Sequence, residues 1–247
     1  MIKICSVYFK GLYNPDYVSK FYRSLKRNCT LPFEFICISD TKDIEADVIL
    51  PYNHYGDVKK HWHKLKFFSP QFGNQKPGDD IIVMDIDQII VNNIDDLIGW
   101  PVKENEFVTY GQWWSEGIKT NGGFYKFKSG SLKFVWDTFI ENPEHYQLIA
   151  WKKGIVSAPY YGEQNFVNNE VRKHNVNFMT TPEEWTCKYT NDFEQNLRLN
   201  KLYSEKFNTD YMILDDYVNE KLKIVHFAGP YKTIHECDAK FIHNHWR

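Results

Sequence analysis

The sequence predicts an α/β fold with a mostly parallel central sheet flanked by helices, and three observations carry that expectation. Strand and helix signals alternate through the first hundred residues. A short, wholly apolar run at 81–84 fits the buried centre of a parallel sheet. The chain has 247 residues, enough for one sizeable core, and α/β domains of that length are often single.

In chain order, Ile2 to Tyr8 reads as a buried strand. Asn14-Pro15 reads as an N-cap followed by Pro at the first helical position. Val18, Phe21, Tyr22 and Leu25 then fall at helical spacing, so that helix packs one face inward. Residues 33–38 form the next strand. Residues 57–68 read as a helix with Trp62, Leu65 and Phe68 on related faces. The strand at 81–84 follows Pro77-Gly78. The second half is less regular. Its strand signals lie at 107–110, 123–127, 175–179 and 223–227, and its helix signals at 132–140 and 164–171. No internal repeat or low-complexity tract interrupts the pattern.

Composition narrows the function. A net charge of −2 lacks the basic face that a general nucleic-acid binder needs. Hydrophobic residues at 43% and charged residues at 25% describe an ordinary globular chain. The five cysteines are scattered and form no CxxC, which fits free thiols in a reducing compartment. The N-terminal residues have no signal-peptide pattern, and no apolar run approaches the ~20 residues of a membrane span. A cytoplasmic protein is expected, with peripheral membrane contact left open.

Two segments carry chemistry. An apolar strand runs straight into Asp85-Ile86-Asp87. Ligands of open α/β sheets bind outside the carboxyl ends of strands. Two carboxylates two apart on an extended strand point the same way and suit joint binding of a hard divalent cation. The bland alternatives are a solvated strand-end turn and acids that cap a following helix. The second segment, residues 226–232, follows the apolar Ile224-Val225. His226 offers a nitrogen ligand, Gly229 a close backbone approach, and Lys232 a positive charge for phosphate oxygens.

Taken together, these segments resemble the GT-A-fold glycosyltransferases of the glycogenin and galactosyltransferase type, glycosyltransferase family 8. His63-Lys64-Leu65 resembles the family's Lys-Leu helix. Met84 to Asp87, continuing to Leu97, is similar to its D-x-D strand and following short helix. Asn121-Gly122-Gly123-Phe124 matches its Asn-Ser-Gly strand, Glu163-Gln164 its Asp-Gln pair, and His226 to Lys232 its H-x-x-G-x-x-K signature.

The resemblance implies a GT-A (Rossmann-like) fold over residues 1–247. About 1–100 would form a nucleotide-binding half, and 101–247 an acceptor and metal-completing half. It implies a metal-dependent transfer of a sugar from a nucleotide-diphosphate donor, a UDP-sugar, to a hydroxyl acceptor such as a glycan, with retention of anomeric configuration. Asp85, Asp87 and His226 would coordinate Mn2+ or Mg2+, while Gly229 and Lys232 grip the diphosphate. Lys64 would lie near the sugar or phosphate and Tyr8 beside the base, while Asp40 either binds the uridine or simply caps a turn. Asn121, Glu163 and Gln164 would meet the transferred sugar. Tyr110, Trp113, Trp114, Tyr160 and Tyr161 are either sugar-stacking rings on the acceptor side or plain packing.

There are departures. Glu163 stands where the family has Asp, Gly122 where it has Ser, and Thr233-Ile234 where it has Pro-Trp. Two rival classes stay open: a non-catalytic nucleotide-sugar binding module, and a glycoside hydrolase with carboxylates across the scissile bond.

Overall fold

Strand β1, Ile2–Tyr8, is buried at every position after Ile2. Helix α1, Asp16–Asn28, turns Val18, Phe21 and Leu25 into the core, as their spacing predicts. Its start differs by one residue. Asn14 Oδ1 accepts from the Asp16 amide at 2.7 Å, which leaves Pro15 at the cap position rather than inside the helix. Strands β2, Phe33–Ser39, and β3, Val48–Pro51, then step outward from β1 in parallel. The computed structural model describes residues 1–11, 13–52, 56–114, 120–227 and 234–247.

The segment predicted as an α-helix at 57–68 is instead a 3₁₀ helix, Lys60–Phe68. All its side chains from Trp62 to Phe68 are buried, so no single apolar stripe sets an α-helical face. Its polar members are held one by one. His63 Nε2 lies 2.9 Å from Val58 O, and Lys64 Nζ donates to Gly122 O at 2.8 Å.

Then follow β4 (Asp80–Met84), β5 (Gln88–Ile90), α2 (Asp95–Ile98), β6 (Glu106–Thr109) and β7 (Phe124–Lys128). Helices α3 (Lys133–Glu141), α4 (Pro143–Lys152) and α5 (Glu163–Lys173) precede β8 (Asn177–Thr180) and β9 (Thr186–Tyr189). Helix α6 (Phe193–Phe207), the small hairpin β10 (Ile213–Leu214) and β11 (Tyr217–Val218), β12 (Ile224–Phe227) and α7 (Lys240–His245) complete the chain.

Among the described residues the main sheet has seven strands in the order β3-β2-β1-β4-β7-β6-β8. Strand β4 is parallel to β1 but antiparallel to β7, so the apolar run at 81–84 sits in a parallel environment on one side only. A second sheet, β5-β12-β9, lies apart from it. One face of the main sheet buries Ile4, Phe35 and Ile82 with α1. The other buries Cys5, Ile36 and Ile81 against Trp62, Leu65, Val135 and Phe166. Each such side chain contributes roughly 2 kcal/mol on burial.

The chain runs outward from β1 to β3 and returns to β4 on the other side of β1. That reversal makes a topological switch point at the carboxyl ends of β1 and β4, where ligands of such sheets usually bind. Among the described residues no cysteine forms a disulfide. Among the described residues no helix is long and apolar enough to cross a membrane.

Candidate active site

Asp85 and Asp87 do not lie on an extended strand. Strand β4 ends at Met84, and the two acids occupy the bend that carries the chain into β5 and the second sheet. Ile86 is 4% exposed and anchors the bend, while both acids stay half-buried at its rim. The Asp85 amide donates to Gly123 O at 3.2 Å, which fixes the bend against the start of β7.

His226 reaches this bend through sheet register. It lies opposite Gln88 in the antiparallel β5–β12 pair, and the next amide, Phe227 N, donates to Asp87 O at 3.4 Å. An imidazole some 140 positions later is thereby brought beside the acids. Burial pushes its pKa down to about 4 against the opposing pull of Asp85, so the ring is neutral at pH 7. Among the described residues its Nδ1 is buried without a hydrogen-bond partner. Gly123 makes the close approach: a Cβ there would stand 2.5 Å from Gln88 Nε2 and 3.2 Å from His226 Cε1. Gln88 is fixed in turn, donating to Gly123 O at 2.6 Å and accepting from the Tyr110 hydroxyl at 2.8 Å.

Lys64, 4% exposed, forms an ion pair with Asp85. Burial pulls its pKa down, but Asp85 and then Glu163 outweigh it, and the net shift is upward. Glu163 opens α5 and is 3% exposed. Burial raises its pKa to about 7, Lys64 opposes that shift, and Asp85 adds to it. Gly122 is where these groups meet. A Cβ on it would lie 3.4 Å from Gln164 Oε1 and 3.5 Å from both Glu163 Oε2 and the Tyr125 hydroxyl. Gln164 Oε1 accepts from the Gly122 amide at 3.1 Å. Asn121 holds the same turn, its Oδ1 accepting from the Gly123 amide at 2.8 Å.

Asp87 accepts from the Tyr13 hydroxyl at 2.7 Å. Burial first, and then the charge of Asp85, raise its pKa to about 7. Tyr13 stacks on Tyr17 at 4.6 Å, so the phenol is held in place. Sequence reasoning missed Tyr13, Gln88 and Tyr125, because each acts through contacts that no spacing announces. It also missed His61, whose ring is tilted against Tyr161 at 5.6 Å. Burial, and then the charge of Lys64, push the His61 pKa down to about 3, with Asp85 opposing.

The remaining sequence candidates fall as follows. Tyr8 is 1% exposed at the end of β1, and its hydroxyl donates to Tyr13 O at 3.1 Å. Asp40 is exposed just past β2 and accepts from the Lys10 amide at 2.9 Å. Gly229 and Lys232 lie outside the described residues. Tyr110 is wholly buried and serves as a packing group, while Trp113 is half-buried, its Nε1 donating to Thr186 O at 2.7 Å.

Among the described residues, no three Asp, Glu, His or Cys side chains stand in position to hold a metal ion. Asp85 is engaged by Lys64 and Asp87 by Tyr13. Two carboxylates and a neutral imidazole, its Nδ1 without a hydrogen-bond partner among the described residues, are donor types that a divalent cation accepts.

No family model and no curated protein matches the sequence. Solved structures do match the fold. The glycosyltransferase GlyE of Streptococcus pneumoniae TIGR4 superposes with a TM-score of 0.62 at 13% identity, over 94% of this chain and 56% of GlyE. The apo form of GlyE gives 0.58 at 12% identity, over 93% and 55%. The chain thus spans little more than half the length of GlyE. The galactosyltransferase LgtC, solved with donor and acceptor sugar analogues, gives 0.55 at 10% identity, over 93% of this chain and 88% of LgtC. The α/β architecture described above is the GT-A fold that these glycosyltransferases share.

Proposed function

We propose that the chain is a metal-dependent glycosyltransferase of the family 8 type. It transfers a sugar from a nucleotide-diphosphate donor, a UDP-sugar, to a hydroxyl of a glycan. The observation that supports this reading is that the β5–β12 register ties the strand of His226 to the bend of Asp85 and Asp87 at the switch point of a GT-A fold, where Lys64 pairs with Asp85.

Charge supports it. Asp85, Asp87 and Glu163 face the single ammonium of Lys64, and two of the three carboxyl groups hold protons up to about pH 7. A divalent cation supplies the positive charge that the cluster lacks. Asp85, Asp87 and His226 are the residues that would hold it. Once bound, it would act as a Lewis acid on the charge that develops on the departing diphosphate.

The chain's own groups do the rest. Lys64, which pairs with Asp85 in the structure, would serve the donor phosphates or sugar. Gly229 and Lys232 hold the diphosphate, and Tyr8 and Asp40 serve the nucleoside end. Asn121, Glu163 and Gln164 position the transferred sugar for attack with retention. Glu163, protonated near neutrality, can donate a hydrogen bond to a sugar hydroxyl. The acceptor enters from the side of the second half of the chain.

The test is a panel of nucleotide sugars offered with hydroxyl acceptors, each with Mn2+ and each with a chelator. We expect one UDP-sugar to be consumed only with the metal present. Equal turnover with a chelator, or hydrolysis of a glycan without any nucleotide sugar, would overturn the reading.

A further inference from the structure

Helix α4 ends in a tip that carries two large apolar side chains into solvent. Trp151 is 44% exposed and Ile155 is 58% exposed. Between them lie Lys152, Lys153 and Gly154, all exposed. Among the described residues neither lysine forms an ion pair. Residues 145–162 contain no Asp or Glu. The flanking acids are Glu144, in the first turn of α4, and Glu163, which is buried. One turn before Trp151, Gln147 bonds to the backbone of Asp57 and Lys59, a segment in which Lys59 and Lys60 outnumber that one acid.

The tip is shaped in advance. Gly154 adopts φ +69°, the left-handed conformation that closes a helix. Its amide donates to Trp151 O at 2.9 Å, and the Ile155 amide donates to Ala150 O at 2.9 Å, the paired bonds of a Schellman turn. The Lys153 amide donates to Ile149 O at 3.0 Å. With these amides satisfied inside the turn, the backbone can enter a medium poor in water. A Cβ on Gly154 would meet nothing within 4 Å, so the tip stands clear of the rest of the protein. The residue after such a glycine usually packs back on its helix, whereas Ile155 is left exposed.

We propose that residues 151–155 dock the protein on the surface of a bilayer that contains anionic phospholipid. Trp151 would sit at headgroup level, where an amphipathic ring is favoured, and Ile155 at the acyl boundary. Lys152 and Lys153 lay their apolar stems along the same boundary and turn their ammonium groups to the anionic headgroups. A stable protein interface buries roughly 800 Å² on each partner, far more than a five-residue tip offers. The acid-free run sets this tip apart from the other exposed apolar pair on a helix, Phe193 and Leu197 of α6. There Asp192 caps the helix and Glu194 stands in its first turn, so an anionic surface is repelled.

The test is sedimentation of the whole chain with sucrose-loaded vesicles, one set of phosphatidylcholine alone and one of equal phosphatidylcholine and phosphatidylglycerol. We expect saturable binding to the mixed vesicles at about 0.1 M salt, fading at about 0.5 M. Binding to phosphatidylcholine should be at least about tenfold weaker. Replacing both lysines, Lys152→Gln with Lys153→Gln, should weaken binding to mixed vesicles at least about tenfold, roughly fivefold for each charge. Trp151→Ser should weaken it about tenfold, and Phe193→Ser should leave it unchanged. A readout that needs no variant is acetylation of the wild-type chain, resolved by mass spectrometry. Mixed vesicles should shield Lys152 and Lys153 but not Lys201 on α6. No binding to mixed vesicles, equal binding to both kinds, or equal acetylation of Lys152 and Lys153 with and without vesicles would each overturn the proposal. So would undiminished binding by a folded Trp151→Ser, which would leave charge attraction alone, or a loss in Phe193→Ser, which would move the contact to α6.

Discussion

Lys64 and Asp85 form an ion pair in which the lysine is buried and the carboxylate half-buried, and the same ammonium donates to the Gly122 carbonyl at 2.8 Å. The pair places a protein cation against one of the two acids proposed to bind a metal. Removing one partner of such a pair leaves the other charge uncompensated.

Lys64→Met should therefore destabilise the metal-free chain. Because Asp85 is 26% exposed, the expected loss is about 2 kcal/mol, below the range for a fully buried pair. Mn2+ should restore part of it by replacing the missing charge. Urea denaturation with and without Mn2+ measures both effects. An unchanged midpoint in the metal-free variant would show that the pair contributes nothing to stability.

Glu163 makes stability depend on pH. Its folded pKa of about 7 lies above the 4.5 of a free glutamate, so the folded state holds the proton more tightly than the unfolded chain does. That contribution is fully present below about pH 4 and is lost as pH rises through 7. The shift corresponds to about 3 kcal/mol. Asp87, also raised to about 7, acts in the same sense. Glu163→Gln should flatten the fall in metal-free stability between pH 4.5 and 7, as read from denaturation midpoints across that range. A slope identical to wild type would assign the dependence elsewhere.

Gly123 and Gly122 should respond differently to alanine. At Gly123 the new Cβ meets Gln88 Nε2 at 2.5 Å, and that amide is fixed by Tyr110 and Gly123 itself. Overpacking there should cost about 2 kcal/mol and disturb the bend that carries Asp85. At Gly122 the contacts are 3.4 to 3.5 Å, ordinary packing distances, so stability should hold. Thermal melts of the two variants side by side decide the matter.

Tyr13 should tune metal binding without touching the metal. Its hydroxyl donates to Asp87 and holds down that carboxyl's pKa. Tyr13→Phe should make protons compete better for Asp87 and weaken Mn2+ binding about tenfold at pH 6.5, with a smaller loss at pH 8. Manganese EPR titrations at the two pH values measure this. A loss of equal size at both would point to damaged packing against Tyr17.

Much of the first half was legible because apolar runs bounded by turn residues set both the strands and α1. The face of α1 was legible from Val18, Phe21, Tyr22 and Leu25, of which Tyr22 is only half-buried. The segment at 57–68 was misread because Trp62, Leu65 and Phe68 suggest a stripe, whereas their polar neighbours are buried as well. Strand β5 has three residues and reads as a continuation of the apolar run before it. Its antiparallel pairing with β12 sets the position of His226, and no local pattern encodes that register. The acids could be named from the strand that precedes them. Their placement in a bend could not, because it depends on the chain crossing from one sheet to the other. Helix α6 and strand β9 escaped for a related reason: α6 buries only Leu199 and Tyr203, and β9 is short.

The most direct test is calorimetric titration of UDP into the wild-type chain, Asp87→Ala and His226→Ala, each with Mn2+ and with a chelator. Joint coordination by Asp85, Asp87 and His226 requires wild type to bind UDP only with Mn2+. Each variant should then lose at least about tenfold in that metal-dependent affinity while keeping its fold by circular dichroism. UDP binding of equal strength with the chelator, or full Mn2+-dependent binding by a folded His226→Ala, would contradict a site shared by the two acids and the imidazole.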